Sequence, residues 1–125
     1  MSDKKTLGYD WEYGHVELML KVDSYAYGEG LYIGLMEMEN GFEESFGDLT
    51  INLAQMPADI NEAYIDGFSS ESKLKFIKKH KLGKVLPEQG YSGRSVYYKV
   101  AFDLDRLAEF DKEGVERYRS LHSIT

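Results

Sequence analysis

The sequence predicts an α+β fold: a single, mostly antiparallel β-sheet in the order β-β-β-β-α-β-α, with the helices packed on one face. Three observations carry this expectation. Asn40-Gly41 separates two strand-like runs within residues 31–53, and Asn-Gly is the strongest short-range hairpin signal because both residues tolerate the positive φ of a type I′ turn. Residues 15–23 alternate, with Val16, Leu18, Leu20 and Val22 on one face and His15, Glu17, Met19, Lys21 and Asp23 on the other, as in a half-buried strand. No strand-helix-strand rhythm recurs, which argues against a parallel sheet.

Residues 1–14 read as a polar segment whose rings Tyr9, Trp11 and Tyr13 pin the entry of the first strand onto the core. Tyr25-Ala26-Tyr27 extends that strand and Gly28-Glu29-Gly30 turns it, giving a three-stranded meander. A two-residue hairpin loop opposes Glu37 to Glu44 and Leu35 to Phe46. That register leaves Leu49, Ile51 and Leu53 on the wrong face, and a one-residue bulge at Gly47-Asp48 corrects the parity. Residues 54–62 form a loop and 63–68 a short strand ending at Asp66-Gly67. Ser69 or Ser70 then caps a helix buried through Leu74, Ile77 and Leu82, with Phe76 at the edge and Gly83 as its left-handed stop. Residues 84–95, with Pro87 and two glycines, read as a loop. Val96, Tyr98, Val100, Phe102 and Leu104 face inward from the last strand, Asp103 or Asp105 caps a final helix, and Gly114 breaks it with Asp111 capping the second piece.

At 125 residues the chain is expected to be one domain, with an N-terminal segment 1–14, a core 15–111 and a C-terminal helix and tail 112–125. Absent cysteines exclude disulfides, thiol nucleophiles and Cys-ligated metals. The N-terminus has no apolar export segment and no run is long enough to span a membrane, so the expected location is the cytoplasm, away from membranes. The formal net charge is −7, which disfavours direct nucleic-acid binding because phosphates are held mainly by Lys and Arg. Residues 1–68 hold 14 Asp and Glu against 3 Lys, whereas residues 69–125 hold 8 against 12 Lys and Arg. The sequence is a dipole.

The run Leu49-Thr50-Ile51-Asn52-Leu53, then Asn61, Ala63-Tyr64-Ile65-Asp66, Phe76-Ile77, Leu82-Gly83 and Ser92-Gly93 resembles a family of uncharacterised small bacterial domains often carried on plasmids, phages and integrative elements. The resemblance covers residues 31–111. It implies a bacterial, mobile-element setting and supplies no activity and no site residues.

The residues offer little chemistry. His15, His80 and His122 lack metal-ligand spacing, and each is expected on a solvated face. No metal, cofactor or catalytic residue is assigned. Lys73, Lys75, Lys78, Lys79, Lys81 and Lys84 read as the solvated face of an amphipathic helix. Glu37, Glu39, Glu43, Glu44 and Asp48 crowd the hairpin, joined by Glu29; such a tip protects a sheet edge and offers carboxylates to a basic groove in imitation of phosphates. The expected function is therefore a non-enzymatic protein-interaction module with a basic protein partner, in its sharpest form a mobile-element accessory protein that inhibits a nucleic-acid-binding host protein. The alternative is a small ligand-binding domain or enzyme using a Tyr-rich surface at Asp66, Tyr91 and Arg94. Tyr32, Met36 and Met38 on the second sheet face are a homodimer surface or the underside of a helix.

Overall fold

A computed structural model describes residues 5–25, 30–53, 56 and 58–122. The turn expected at residues 28–30 lies largely outside this set, as does Glu29. Among the described residues there are two four-stranded antiparallel sheets where the sequence predicts one. The first is a meander of β1 (Leu7–Trp11), β2 (Gly14–Ser24), β3 (Leu31–Glu39) and β4 (Phe42–Asp48). The second contains β5 (Thr50–Ile51), β6 (Glu62–Ile65), β7 (Gly83–Ser92) and β8 (Ser95–Phe102), in the order β5-β6-β8-β7. Three helices, α1 (Ser70–Lys79), α2 (Leu104–Ala108) and α3 (Lys112–Leu121), contribute to one apolar cluster shared with both sheets.

The β3–β4 hairpin forms as the sequence dictates. Asn40 and Gly41 have φ of 53° and 83°, and Glu39 opposes Phe42 while Glu37 opposes Glu44. The bulge is one residue earlier than expected: Ser45 pairs with Met36 and Gly47 with Leu35, leaving Phe46 as the extra residue. Its ring is thereby turned inward, where it meets Trp11 at 5.1 Å and Tyr9 at 5.9 Å between ring centroids.

Leu49 marks the passage between sheets. Its N–H donates to Ile33 of the first sheet, and its carbonyl accepts from Asp66 beside the second. Residues 50–53 therefore do not continue the hairpin strand.

Two segments not expected to be strands, the polar N-terminal segment and the loop at 84–95, each form one. In β1, Leu7 and Tyr9 are buried, and Trp11 packs against the core. In β7, residues 86–88 bulge opposite Lys99, since Val85 pairs with Val100 and Gln89 with Tyr98. Pro87 thus occupies the stretch where no ladder N–H is required. Strand β8 is only half as buried as its alternation suggests: Val100 and Phe102 are core, whereas Val96 and Tyr98 are exposed.

The helix boundaries follow local hydrogen bonding. Ser69 caps α1 without a side-chain bond, in a left-handed conformation. At the other end Lys81, not Gly83, has the positive φ; its N–H bonds the Lys78 carbonyl and that of Leu82 the Ile77 carbonyl, a Schellman stop. Phe76 is fully in the core rather than at its edge. Asp103 caps α2 and Asp111 caps α3, so the last helical stretch is two pieces. Asp111 does more than cap: Oδ1 accepts the Gly114 N–H, and Oδ2 accepts the Val22 N–H at 2.8 Å. It occupies the part of the β2 edge that β1 leaves uncovered, and Gly114 is required there because a Cβ would collide with Asp111 and the Val22 carbonyl.

Candidate functional site

The first sheet forks. Pairing of β2 with β3 stops at Met19 and Met36, while β2 continues with β1 to Gly14 and β3 continues with β4 to Glu39. The β3–β4 tip therefore stands apart from its neighbours, with both faces open. Strand alternation sorts its side chains. Glu37, Glu39, Glu44 and Phe42 share one face, as cross-strand partners, while Glu43 lies opposite Met38 on the other face. The five predicted carboxylates are accordingly not one cluster. Asp48 sits on the second face opposite Gly34 and accepts a 2.8 Å hydrogen bond from the Tyr32 hydroxyl.

The three glutamates on the shared face press on one another. The hydrogen bond that protonated Glu44 donates to Glu39, and the charges of Glu39 and Glu37, raise the Glu44 pKa above its ordinary value. Among the described residues no Lys or Arg lies within ion-pair distance of Glu37, Glu39 or Glu44. Beside them the Phe42 ring is 72% exposed, and Met38 on the reverse face is 58% exposed. An exposed aromatic ring ringed by charge has the anatomy of an interface anchor. The sequence shows the acids, but it does not show that Phe42 belongs with three of them, which needs the register.

The alternative site does not assemble. The Asp66 carboxylate accepts the Phe68 N–H at 2.9 Å and the Lys73 ammonium at 3.0 Å. It also borders an open groove of about 590 Å³ with Ser95, Val96 and Tyr97. No hydrogen bond or ion pair joins it to Tyr91, which is exposed on β7, or to Arg94, in the β7–β8 turn. Lys73 itself corrects the reading of the lysine face, since its side chain is only 5% exposed. Its ammonium lies 5.8 Å from the centre of the Phe68 ring, and it lines a cavity of about 50 Å³ with Tyr9, Trp11, Leu35 and Phe46. That space holds no more than a water or two. Alternation of Leu7, Tyr9 and Trp11 is the sequence signal that this aromatic wall is a strand.

The histidines are engaged rather than merely solvated. His15 stands on the outer face of β2 between two carboxylates, with Nδ1 2.6 Å from Asp10 and Nε2 2.7 Å from Glu17. Hydrogen bonds to Asp10 and then Glu17 raise its pKa, and the same bonds lower those of Asp10 and Glu17. Both ring nitrogens are thus engaged by carboxylates. His80 reaches the Gly8 carbonyl at 2.8 Å, and His122 packs on Tyr118.

The family model described as Domain of unknown function (DUF4313) matches residues 19–121. The chain belongs to this family. No curated protein and no solved structure matches it. The matched segment of this DUF4313 chain contains the acidic hairpin and α1, and it begins within β2, so β1 with Tyr9 and Trp11 lies outside it. Among the described residues, no helix is long and apolar enough to cross a membrane.

Proposed function

We propose that this DUF4313 chain is a non-enzymatic protein-interaction module that docks by the tip of its β3–β4 hairpin onto a basic surface with an apolar recess. The observation that carries the reading is Phe42, exposed on the same strand face as Glu37, Glu39 and Glu44. Unrelieved like charges across a strand pair are destabilising. A cationic partner removes that repulsion, and burial of the ring adds about 1.5–3 kcal/mol. Association of this kind is fast and weakened by salt.

In its sharper form the partner is a nucleic-acid-binding host protein whose Lys and Arg channel accepts the carboxylates in place of phosphates. The mobile-element setting implied by the resemblance supports that version, because such elements must evade host nucleases.

The test uses three baits in a native bacterial lysate at low and high salt: the wild type, the Glu39→Gln/Glu44→Gln variant and Phe42→Ala. The expected result is a basic protein held by the wild type at low salt, released at high salt and lost from both variants. Capture that is indifferent to the variants, or no capture at all, removes the hairpin from the reading.

A further inference from the structure

We infer that an open groove at the C-terminal end of α1 receives the acidic hairpin of a second copy of this chain, an inference that rests on the reading of the hairpin as a docking element. The groove is about 630 Å³ and is lined by Lys78, Lys81, Lys84, Val85 and Phe102, with Asp103 at its border. All three lysines are exposed. The ion pairs of this helix are made by its other lysines: Lys73 with Asp66, Lys75 with Glu71 and Lys79 with Asp10. Among the described residues no carboxylate lies within 4.0 Å of Lys78, Lys81 or Lys84. Asp103, at the border, caps α2 by accepting the Arg106 N–H and makes no ion pair with these three lysines.

The groove is thus the complement of the hairpin. Three ammonium groups around an apolar lining face three carboxylates around an exposed phenyl ring. The two features belong to different sheets, and no ion pair connects them within one molecule. Each can be satisfied only by another molecule, and a second copy offers both halves at once. A one-way contact of this kind is heterologous and leaves a free groove on one copy and a free hairpin on the other, whereas a reciprocal pair about a two-fold axis closes as a dimer. Exposed ion pairs contribute little one by one, so the contact is weak and its affinity falls at least about tenfold from low to high salt.

Charge exchange tests the inference with the full chain. Sedimentation equilibrium over a wide concentration range is expected to show wild-type self-association at low salt and dissociation at high salt. Glu39→Lys/Glu44→Lys and Lys81→Glu/Lys84→Glu should each be monomeric alone, since each sets like charges against like. Mixed in equal amounts they should associate again, because the cationic hairpin of one meets the anionic groove of the other. Bulk attraction does not explain such a recovery: from a formal net charge of −7, both variants remain net negative. A wild type that stays monomeric at low salt, or a mixture that does, overturns the inference. Capture of a basic protein through Glu39, Glu44 and Phe42 by a monomeric wild type leaves the docking reading standing while the second-copy inference falls; loss of both ends both.

Discussion

His15 is held between Asp10 and Glu17 on an exposed face, and its protonation couples the first two strands to pH. Its pKa is raised above the ordinary 6.5, so the folded state binds the proton more tightly than the unfolded state. The stabilising contribution is complete below about pH 6.5 and disappears as pH rises through the folded pKa. Asp10 and Glu17 act with the opposite sign. Their pKa values are lowered, so their contribution is present above the ordinary values of 3.8 and 4.5 and is lost as pH falls through the folded ones. We expect the His15 ring resonances to titrate with a midpoint above 6.5, and the thermal midpoint to decline as pH rises from about 6.5 through that midpoint. His15→Gln should flatten that decline. A ring midpoint at or below 6.5 contradicts the arrangement.

At the scale of elements, a buried hydroxyl supports the passage from the first sheet to the second. Thr50 is buried, and its Oγ1 accepts the Ile33 N–H at 3.1 Å and lies 2.8 Å from the Tyr25 hydroxyl. It completes the β3 edge just where β4 has departed. Thr50→Val keeps the shape and strands the Ile33 N–H, so urea denaturation should show a loss of about 1–3 kcal/mol. Thr50→Ser should recover most of it, and equal losses in the two variants would mean that packing rather than the hydroxyl matters there. This passage also marks where sequence reading reached its limit. Asn40-Gly41, the alternation of β2 and the caps Asp103 and Asp111 are local signals, and each appears in the fold. The second sheet is not local: Leu49 has the same apolar character in either sheet, and only the competing donors and acceptors of Ile33 and Asp66 decide the matter. Pro87 masked β7 because a proline argues against a strand unless a bulge accommodates it. The acids of the candidate site were legible as composition. Their division between two faces, and the placing of Phe42 with one group, follow from the register of the forked hairpin.

The whole molecule raises a question about its limits, because the DUF4313 match begins at Met19 while the packing does not. Leu7 and Tyr9 are 2% and 1% exposed. The Tyr9 ring meets Phe76 of α1 edge-on at 5.3 Å, and His80 at the end of that helix bonds the Gly8 carbonyl. Strand β1 therefore ties α1 to the first sheet. At about 1.5–3 kcal/mol for each large side chain buried, Leu7 and Tyr9 together supply on the order of 3–6 kcal/mol. Domains of ordinary stability hold only about 5–15 kcal/mol in all. A chain starting at Gly14 would lose that contribution and expose Leu18 and Phe76 as well. We expect it to lose its cooperative urea transition, or to retain one with a much lower midpoint, together with the near-ultraviolet circular dichroism of the packed aromatic rings. A shift in unfolding free energy below about 1 kcal/mol would show instead that the matched segment carries its own core. The buried areas argue against that outcome, since α1 would then present Phe76 to water along the side that β1 now covers.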